Sequence, residues 1–561
     1  MIIRATDHGL AALEARAVGY DHCLVGAGIV GVCLAITLAE QGKRVLVLET
    51  GDLKEASGLQ AFYQGEASAV HPPAHEYRRQ RLGGTSHLWG GRCIALDTQD
   101  FEARPHVPES GWPLTDADLA PYMQRAHEML DVGAVNYSRQ ALQANKKELI
   151  AGLGSIAPSV IENIERYSLP TDVGHKYRAV LQASQNILVI MRARVVDLEL
   201  DAATQTVTGA QVLVGESTQG FKVRAGEFVL CGGGIEATRL MLRVRQSQPS
   251  WARLDAALGK YYGCHFDATL GELQISQARP RFDFEKTVDG VYARRKLQFS
   301  REFQARHGLL NAAFRLHFQP YANAQHGSAV LSTIYLLKSI LPKEHQDILN
   351  HSRGVAATDS QMLAHLWNIA RDLPSVPSFA WEWLTQIKLA HRKLPYTLIS
   401  PRTGKFPLDF NSEQVPSALN QIALSDQADA QGMPRVCIHW QLTDQDVASA
   451  RASFMHLQAQ LQRIKGVQLT LNLNALEAQL QDSHPIGGHH LGSTRMGATP
   501  KNSVVNHQLR VHGTTNLRIA AASVFTTTGA ANPTISLLAL VLRAFNAPAH
   551  SSDQYEKLQP L

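Results

Sequence analysis

Three histidines lie close together near the C-terminus, in the segment HPIGGHHLGSTRMG, at His484, His489 and His490. A neutral imidazole has a pKa near neutrality, so each of them is a candidate for taking up and releasing a proton in catalysis. Adjacent side chains point to opposite sides of an extended segment, which keeps His489 and His490 from converging on one ion, and no cysteine or carboxylate stands at ligand spacing. The segment therefore predicts acid–base chemistry and no metal site, without selecting one histidine.

An asparagine close to the C-terminus is a second candidate, because Asn532 in GAANPT stands directly before Pro533. Its amide can hydrogen-bond a substrate oxygen, but an asparagine before proline is also an ordinary N-cap, and both roles stay open. The helix predicted from Pro533 carries partial positive charge at its N-terminus, which suits negative charge developing nearby.

A glycine fingerprint stands near the N-terminus, in residues 22–49, which read as a strand, a glycine turn, a helix and a second strand. Gly26 permits the tight turn, Gly28 lets the backbone approach a pyrophosphate, and Gly31 allows close helix packing. Glu49 closes the second strand and can accept the ribose hydroxyls. The pattern predicts a dinucleotide with an unphosphorylated ribose, and leaves FAD and NAD undecided.

A second glycine segment, RLGGTSHLWGGR at residues 81–92, combines four glycines with Thr85, Ser86 and Trp89. Such a backbone lets a flat or anionic group approach closely. Taken alone, the segment is also compatible with a tight surface loop. There is no GxSxG elbow and no GxxxxGK loop, so the serine-hydrolase and P-loop classes are excluded.

Size and charge narrow the class of protein further. A chain of 561 residues is too long for one ordinary core, so two domains interleaved in sequence are expected. The formal net charge of +5 is small for this length, and no run of Lys and Arg indicates nucleic-acid binding.

Six cysteines are scattered singly and read as small buried side chains in a reducing compartment. No segment reaches the roughly 18 apolar residues of a membrane span, and the first twenty residues lack a signal-peptide core, so a cytoplasmic location is expected. Residues 362–392 concentrate bulky apolar side chains around Pro374 and Pro377. We expect helices there that pack on the body or on another subunit, and contact with a membrane surface is the alternative.

The chain resembles the GMC (glucose-methanol-choline) oxidoreductase family over essentially its whole length. The similar segments are RLGGTSHLWGGR, the stretch Asp100–Tyr122, GGGIEATRLML, HHLGSTRMG, and the C-terminal SVVNHQLRVHGTTNLRIAAASVFTTTGAANPT. The nearest likeness is to bacterial members and to the pyranose oxidase and sugar dehydrogenase branch. The resemblance implies that the dinucleotide is FAD.

The resemblance also selects the catalytic residues. The family pattern of a histidine, two residues, a glycine and then Thr or Ser falls on His489, Gly492 and Ser493, so His489 is the expected base. Asn532 stands where the family has its His or Asn partner. His265, Glu413 and Gln414 resemble family positions at the domain junction, and packing or turn roles are equally open for them.

The expected cofactor-binding residues come from the glycine fingerprint, the second glycine segment, an adenine-side strand and the C-terminal segment: Gly26, Gly28, Ile29, Gly31, Glu49, Arg81, Gly83, Gly84, Thr85, Ser86, Trp89, Val195, Ser523, Pro533 and Thr534. Family members with covalent FAD attach it to a histidine immediately before the tryptophan. Here Leu88 holds that place and His87 lies one position earlier, so non-covalent FAD is predicted.

The fold class that follows is α/β, α+β overall. A Rossmann-like FAD-binding domain is interleaved with a substrate-binding domain built on an antiparallel sheet with helices. The FAD-binding domain takes residues 1–125, 187–262 and 482–561, with 126–186 as a connecting or cap segment and 263–481 as the substrate-binding domain.

The predicted function is oxidation of a CH–OH group, on a sugar or glycoside, with oxygen or another electron acceptor as the partner. A non-redox lyase of the same fold and a non-catalytic flavin-binding subunit are the alternatives. A homo-oligomer is left open.

Overall fold

The computed structural model describes residues 1–169, 171–338, 361–390, 392–399, 401 and 403–546. The strands are β1 Ile2–Arg4, β2 Tyr20–Val25, β3 Val45–Glu49, β4 Glu66–Ala67, β5 Arg92–Cys93, β6 Val160–Tyr167, β7 Ile187–Met191, β8 Ala193–Asp201, β9 Thr206–Val214, β10 Gly220–Val223, β11 Ala225–Leu230, β12 Phe266–Ile275, β13 Glu285–Lys286, β14 Tyr292–Phe299, β15 Ala312–Leu316, β16 Lys405–Ser412, β17 Gln421–Ala428, β18 Pro434–His439, β19 Val467–Thr470, β20 His484–Pro485 and β21 Leu517–Ile519.

The α-helices are α1 Leu10–Arg16, α2 Ile29–Glu40, α3 Ser57–Gln60, α4 Thr98–Phe101, α5 Asp116–Met129, α6 Val173–Lys176, α7 Arg178–Ala183, α8 Gly233–Ser247, α9 Arg301–His307, α10 Ala329–Leu337, α11 Met362–Arg371, α12 Ser375–Trp383, α13 Asp444–Leu461, α14 Leu473–Gln481 and α15 Pro533–Ala544.

A six-stranded parallel sheet has the order β1-β7-β3-β2-β11-β21. Its strands read as apolar runs, and all five residues of β3 are buried, as expected where both faces of a sheet are covered. Helix α2 follows β2 through the glycine turn, which completes the predicted βαβ unit. The α/β fold class is confirmed, and the glycine fingerprint lies at the carboxyl edge of this sheet.

The apolar pattern of residues 221–230 reads as one strand, but the segment forms two strands in different sheets. β10 pairs with β9 in a three-stranded antiparallel sheet, whereas β11 joins the parallel sheet between β2 and β21. Both halves are apolar enough for a strand, so the change of sheet is a tertiary feature that periodicity cannot reveal.

A second large sheet of nine strands is antiparallel and carries the second core. Its main order is β19-β12-β16-β15-β14-β6-β5, with β13 beside β14 and β20 beside β12. Phe314, Phe410 and Phe454 of α13 form its aromatic centre. Strand β6 belongs to this sheet although it lies in the segment predicted as connecting, and the domain boundaries stay predictions.

Backbone pairing at both ends fixes residues 484–491, the segment that carries the three histidines. Strand β20 pairs with the start of β12, and an isolated bridge joins Gly263 to Leu491. The backbone N–H of Ile486 donates to the carbonyl of His265 at 2.8 Å. This antiparallel pairing brings residues 263–267 against 484–491, although more than 200 residues separate them in sequence.

The described residues of the segment 362–392, which leave out residue 391, form the expected helices, α11 and α12, followed by a π-helical turn at Leu384–Lys388. His365 and Asn368 are buried and hydrogen-bond Ala322, Ala324 and Ser332. The bulky side chains face outward, with Leu363 78%, Trp367 66% and Trp381 68% exposed. Packing of this apolar face on another subunit or on a membrane surface stays a prediction.

All six cysteines are free, and five of them are buried, with Cys437 half-buried. Among the residues that the structure describes, no helix is both long and apolar enough to cross a bilayer. The compartment stays a prediction.

Candidate active site

A cleft of about 970 Å³, here called the cofactor cleft because the expected FAD-binding residues line it, lies between the glycine turn after β2, the turn before α8 and the N-terminus of α15. A recess of about 600 Å³ continues from it past Val195. Of the residues expected to bind the cofactor, those lining the cleft or the recess are Gly26, Gly28, Ile29, Glu49, Gly84, Thr85, Val195, Pro533 and Thr534.

The three fingerprint glycines have different surroundings, and a side chain would fit differently at each of them. A Cβ on Gly26, whose φ is 106°, would lie 2.8 Å from the backbone N of Gly232. A Cβ on Gly31 would lie 2.0 Å from the carbonyl oxygen of Gly26, so this glycine permits the helix to pack against the turn. Gly28 has no atom closer than 4.0 Å to such a Cβ and opens onto the cleft at the start of α2. The cradle fits a pyrophosphate approaching a helix N-terminus.

Glu49 lies at the end of β3, where the cleft meets the recess. Its Oε2 accepts the backbone N–H of Ala27, and its Oε1 accepts that of Gly51, each at 2.7 Å. Burial raises the pKa of this carboxyl to about 7, against the two hydrogen bonds, which lower it. A ribose hydroxyl that donates to Glu49 would give the carboxylate a hydrogen bond in place of those that it loses to water on burial.

The second glycine segment divides into residues that line clefts and residues that hold the loop. Gly84, Thr85 and Trp89 line clefts. Gly83 donates its N–H to the carbonyl of Ala27 at 2.8 Å, and the hydroxyl of Ser86 donates to the carbonyl of Gly83 at 2.7 Å.

Two further expected residues lie away from the cofactor cleft. Arg81 pairs with Asp172 at 3.5 Å on a separate basic surface lined by Arg4 and Arg192. The fully buried hydroxyl of Ser523 accepts that of Thr494 at 2.7 Å.

A third cleft, of about 1000 Å³, adjoins the first, and the two share Ile29, Tyr77, Thr85, Gly488 and Thr534. It contains His489 and Asn532, the two expected catalytic residues, and is here called the catalytic cleft. Its other walls include the aromatic side chains of Trp89, Tyr167 and Tyr396, the charged Arg92 and the aliphatic Leu88. The structure therefore brings the two catalytic candidates to the end of the cofactor cleft.

His489 is 9% exposed and has two polar neighbours. Its Nδ1 lies 2.7 Å from Nδ1 of His265, and its Nε2 lies 3.2 Å from Nδ2 of Asn532. Burial holds the pKa of His489 well below its ordinary value, and the neighbouring His265 and Arg92 lower it further. The side chain is thus a neutral imidazole at physiological pH.

Asn532 occupies the N-cap position of α15, but its side chain makes no capping hydrogen bond. Its Oδ1 accepts from Nε of Arg92 at 2.9 Å, and its Nδ2 faces His489. Capping therefore does not account for this asparagine, whereas the contact with His489 does.

The other two histidines of the segment lie elsewhere. His484 is exposed and its Nδ1 contacts the carbonyl of Val70 at 3.1 Å. His490 lines the cofactor cleft and contacts the hydroxyl of Tyr262 at 2.8 Å through Nδ1. In the described part of the chain, no group of three His, Cys, Asp or Glu side chains is arranged to hold a metal ion.

Sequence reasoning missed Arg92 and gave His265 no preferred role. Arg92 ends the second glycine segment and begins β5, so its position in that motif was the available signal. Glu413 forms an ion pair with Arg104, and Gln414 accepts from the indole of Trp440 at 2.9 Å and donates its backbone N–H to the hydroxyl of Thr528 at 2.8 Å, so each has a structural partner.

Comparison with known proteins covers both ends of the chain. Residues 416–540 match the family model described as GMC oxidoreductase, and residues 24–53 match that of an NAD(P)-binding Rossmann-like domain. The 2-methyl-1,2-propanediol dehydrogenase of Mycolicibacterium austroafricanum is 31% identical over 133 residues, which are 24% of this chain and 23% of that protein. The fructose dehydrogenase large subunit of Gluconobacter japonicus is 30% identical over 138 residues, 24% of each. The matched segments thus span about a quarter of these curated relatives.

A solved structure described as a new fungal aryl-alcohol oxidase superposes with a TM-score of 0.53 at 15% identity, covering 94% of this chain and 98% of that one, which shows a shared fold. The parallel sheet and the glycine cradle are those of a Rossmann-like dinucleotide-binding fold, and the two candidate catalytic residues lie in the adjoining cleft. Residues 416–540 thus form a GMC oxidoreductase domain, and both relatives are similar in part, in agreement with the resemblance that the motifs predicted. That family and its Rossmann-like domain imply an FAD cofactor, which the cradle at Gly28 and Glu49 fits.

Proposed function

We propose that this protein is an FAD-dependent enzyme that oxidises the CH–OH group of a small molecule, with His489 as the base and Asn532 holding the substrate oxygen. The observation that carries the proposal is the 3.2 Å contact between Nε2 of His489 and Nδ2 of Asn532 in a cleft that adjoins the cofactor cleft. These two atoms mark where a hydroxyl group would sit.

The residues of this chain account for the proton and the orientation of the substrate. Nε2 of His489 takes the hydroxyl proton, and Nδ2 of Asn532 donates to the same oxygen. FAD, held at the glycine cradle, would supply the acceptor for the hydride of the carbinol carbon, and loss of this hydride and of the hydroxyl proton would convert the alcohol into a carbonyl compound. The N-terminus of α15, at Pro533 and Thr534, supplies partial positive charge where the two clefts meet. Oxygen or another acceptor then takes the electrons.

The substrate class we propose is a sugar, a glycoside or another polyol. Trp89, Tyr77, Tyr167 and Tyr396 line the catalytic cleft and offer apolar faces to a ring, while Arg92 offers donors to hydroxyl groups. Two relatives are named for the oxidation of a diol and of fructose. Both observations support a polyhydroxylated substrate, in agreement with the predicted sugar-oxidising branch.

Non-covalent attachment of FAD is part of the proposal. Leu88 and Trp89 line the catalytic cleft, whereas His87 is exposed and its Nδ1 lies 3.7 Å from a carboxylate oxygen of Asp172. Acid precipitation of the holoenzyme should leave the flavin absorbance in the supernatant. Flavin that stays in the washed pellet contradicts this part.

The test of the function uses anaerobic reduction of the flavin by a panel of sugars, glycosides and simple alcohols. With a substrate that bleaches the flavin band, His489→Ala should slow bleaching by about 10²- to 10⁴-fold. His484→Ala is the matched control, because His484 belongs to the same segment and lies on the surface. Undiminished bleaching in His489→Ala would refute the assignment of the base, and product formed without bleaching would indicate a lyase.

A further inference from the structure

Four hydrogen bonds join five residues into one chain through the catalytic cleft, here called the His489 chain: Arg92, Asn532, His489, His265 and Thr528. Arg92 Nε lies 2.9 Å from Asn532 Oδ1, and Asn532 Nδ2 lies 3.2 Å from His489 Nε2. His489 Nδ1 lies 2.7 Å from His265 Nδ1, whose Nε2 lies 2.9 Å from the carbonyl oxygen of Thr528. The direction of each bond follows from the two ends.

From the Arg92 end, the direction is fixed by a group that only donates. A guanidinium has no acceptor atom, so the atom of Asn532 that faces it is the carbonyl oxygen. The amide nitrogen then faces His489 and donates to it. Nε2 of His489 must therefore carry a lone pair and no hydrogen.

From the Thr528 end, the direction is fixed by a group that only accepts. A backbone carbonyl has no hydrogen to give, so Nε2 of His265 carries the hydrogen. A neutral His265 then has its lone pair on Nδ1, and His489 must donate from its own Nδ1. Burial lowers the pKa of His265 to about 4, so this imidazole is neutral at physiological pH. Both ends give the same tautomer for His489.

We infer that His265 is a positioning residue, which holds His489 in the Nδ1–H tautomer and so leaves Nε2 free to accept the substrate proton. The inference rests on the proposed function, since it explains how the proposed base is kept in its active form. When Nε2 takes the hydroxyl proton, His489 becomes an imidazolium that still donates from Nδ1 to His265. No proton has to leave His265 in this step, because its only hydrogen stays bound to Nε2 and hydrogen-bonded to Thr528.

The fold makes His265 suitable for this role. It is fully buried at the start of β12, where the pairing of residues 263–267 with 484–491 fixes its backbone. The rings of His265 and His489 meet nearly at right angles, with their centroids 4.8 Å apart. Asn532 faces the other nitrogen, Nε2, inside the cleft, where it would donate to an entering hydroxyl group.

The test compares two variants of nearly equal shape, His265→Asn and His265→Leu. The carbonyl oxygen of an asparagine can take the place of Nδ1 as the acceptor for His489, whereas leucine offers no acceptor. In the holoenzyme, His265→Leu should slow anaerobic flavin reduction by about 10²-fold or more, because an incorrect tautomer of a catalytic histidine costs up to about 10⁴ in kcat. His265→Asn should recover at least about tenfold of that loss, with substrate affinity nearly unchanged in both.

A purely structural role would affect the two variants alike and would appear as lost flavin or lost substrate binding. Flavin content, thermal unfolding and the dependence of the reduction rate on substrate concentration are therefore measured beside the rate. Equal loss of rate in the two variants overturns the inference, and so does reduction at the wild-type rate in His265→Leu. His489→Ala measured in parallel separates the two proposals: if it is slow while His265→Leu is fast, only the inference fails.

Discussion

His489 and His490 are adjacent in sequence, but each belongs to a different hydrogen-bond chain. In the second chain, here called the His490 chain, Nδ1 of His71 contacts the carbonyl of Pro72 at 2.7 Å and its Nε2 contacts the hydroxyl of Tyr262 at 3.0 Å. The carbonyl of Pro72 only accepts, so the hydroxyl of Tyr262 donates to His71 and accepts from Nδ1 of His490 at 2.8 Å. Both histidines are thus anchored indirectly to a carbonyl, and each is held as the Nδ1–H tautomer.

The difference lies at the other nitrogen. Nε2 of His489 meets Asn532 in the catalytic cleft, whereas Nε2 of His490 is buried and has no hydrogen-bond partner among the described residues. Burial lowers the pKa of both imidazoles well below the ordinary value. Burial and a fixed tautomer are therefore shared by both histidines and do not set the proposed base apart. What distinguishes His489 is that its Nε2 faces Asn532, which Arg92 orients, in an open cleft.

Removing Arg92 should have the largest effect on the rate of flavin reduction, because Arg92 orients the amide that faces His489. In Arg92→Met, the amide of Asn532 loses the donor that orients it and can turn its oxygen toward His489. We expect anaerobic flavin reduction to slow by about 10²-fold, the usual cost of losing one oriented donor at a reacting oxygen. Arg92→Lys keeps a donor and a charge and should lose less. Equal rates in the wild-type protein and in Arg92→Met would contradict the role of the chain.

The pH dependence of the same rate should also change in Arg92→Met. His489 must be neutral to act, so the rate falls as pH drops through its pKa, which burial, His265 and Arg92 hold well below 6.5. The wild-type rate should therefore stay level at neutral pH and fall only in more acidic solution. Loss of the Arg92 charge raises the pKa of His489, so the acidic limb should move to higher pH. Rates measured from pH 4.5 to 8 decide this, and a limb that moves to lower pH would oppose it.

Tyr262→Phe breaks the His490 chain and leaves the His489 chain intact. It removes the partner of Nδ1 of His490 and the donor to His71. The free energy of unfolding should therefore be about 1–3 kcal/mol lower than that of the wild-type protein. Flavin reduction should stay within about threefold, because His489 keeps all its contacts. Urea unfolding and stopped-flow reduction measure the two effects. A loss of rate comparable with that of His489→Ala would mean that the two chains are coupled.

The sequence predicts the elements that hold these chains better than it predicts the chains themselves. The glycine fingerprint and the helix at Pro533 follow from local patterns, and the family pattern selects His489. His265 is 224 residues from His489 in sequence, and Arg92 is 440 residues from Asn532. Such partners meet only because β20 and residue 491 pair with residues 263–267 and because α15 packs beside β5. Local periodicity carries no information on contacts of this range.

His265→Asn should change how the free energy of unfolding depends on pH. A histidine with an ordinary pKa of about 6.5 when unfolded and about 4 when folded binds more protons in the unfolded chain at intermediate pH, so folding loses free energy as pH falls from 6.5 to 4. The loss approaches about 1.4 kcal/mol per pH unit for one such group. His265→Asn removes this group and weakens the depression of the pKa of His489, so its free energy of unfolding should decline less steeply between pH 7 and 5. Urea unfolding at the two pH values, with FAD in fixed excess, tests this. A steeper decline in His265→Asn than in the wild-type protein would show that His265 is charged when the protein is folded. A charged His265 has no lone pair on Nδ1, so the tautomer assigned to His489 would then be wrong.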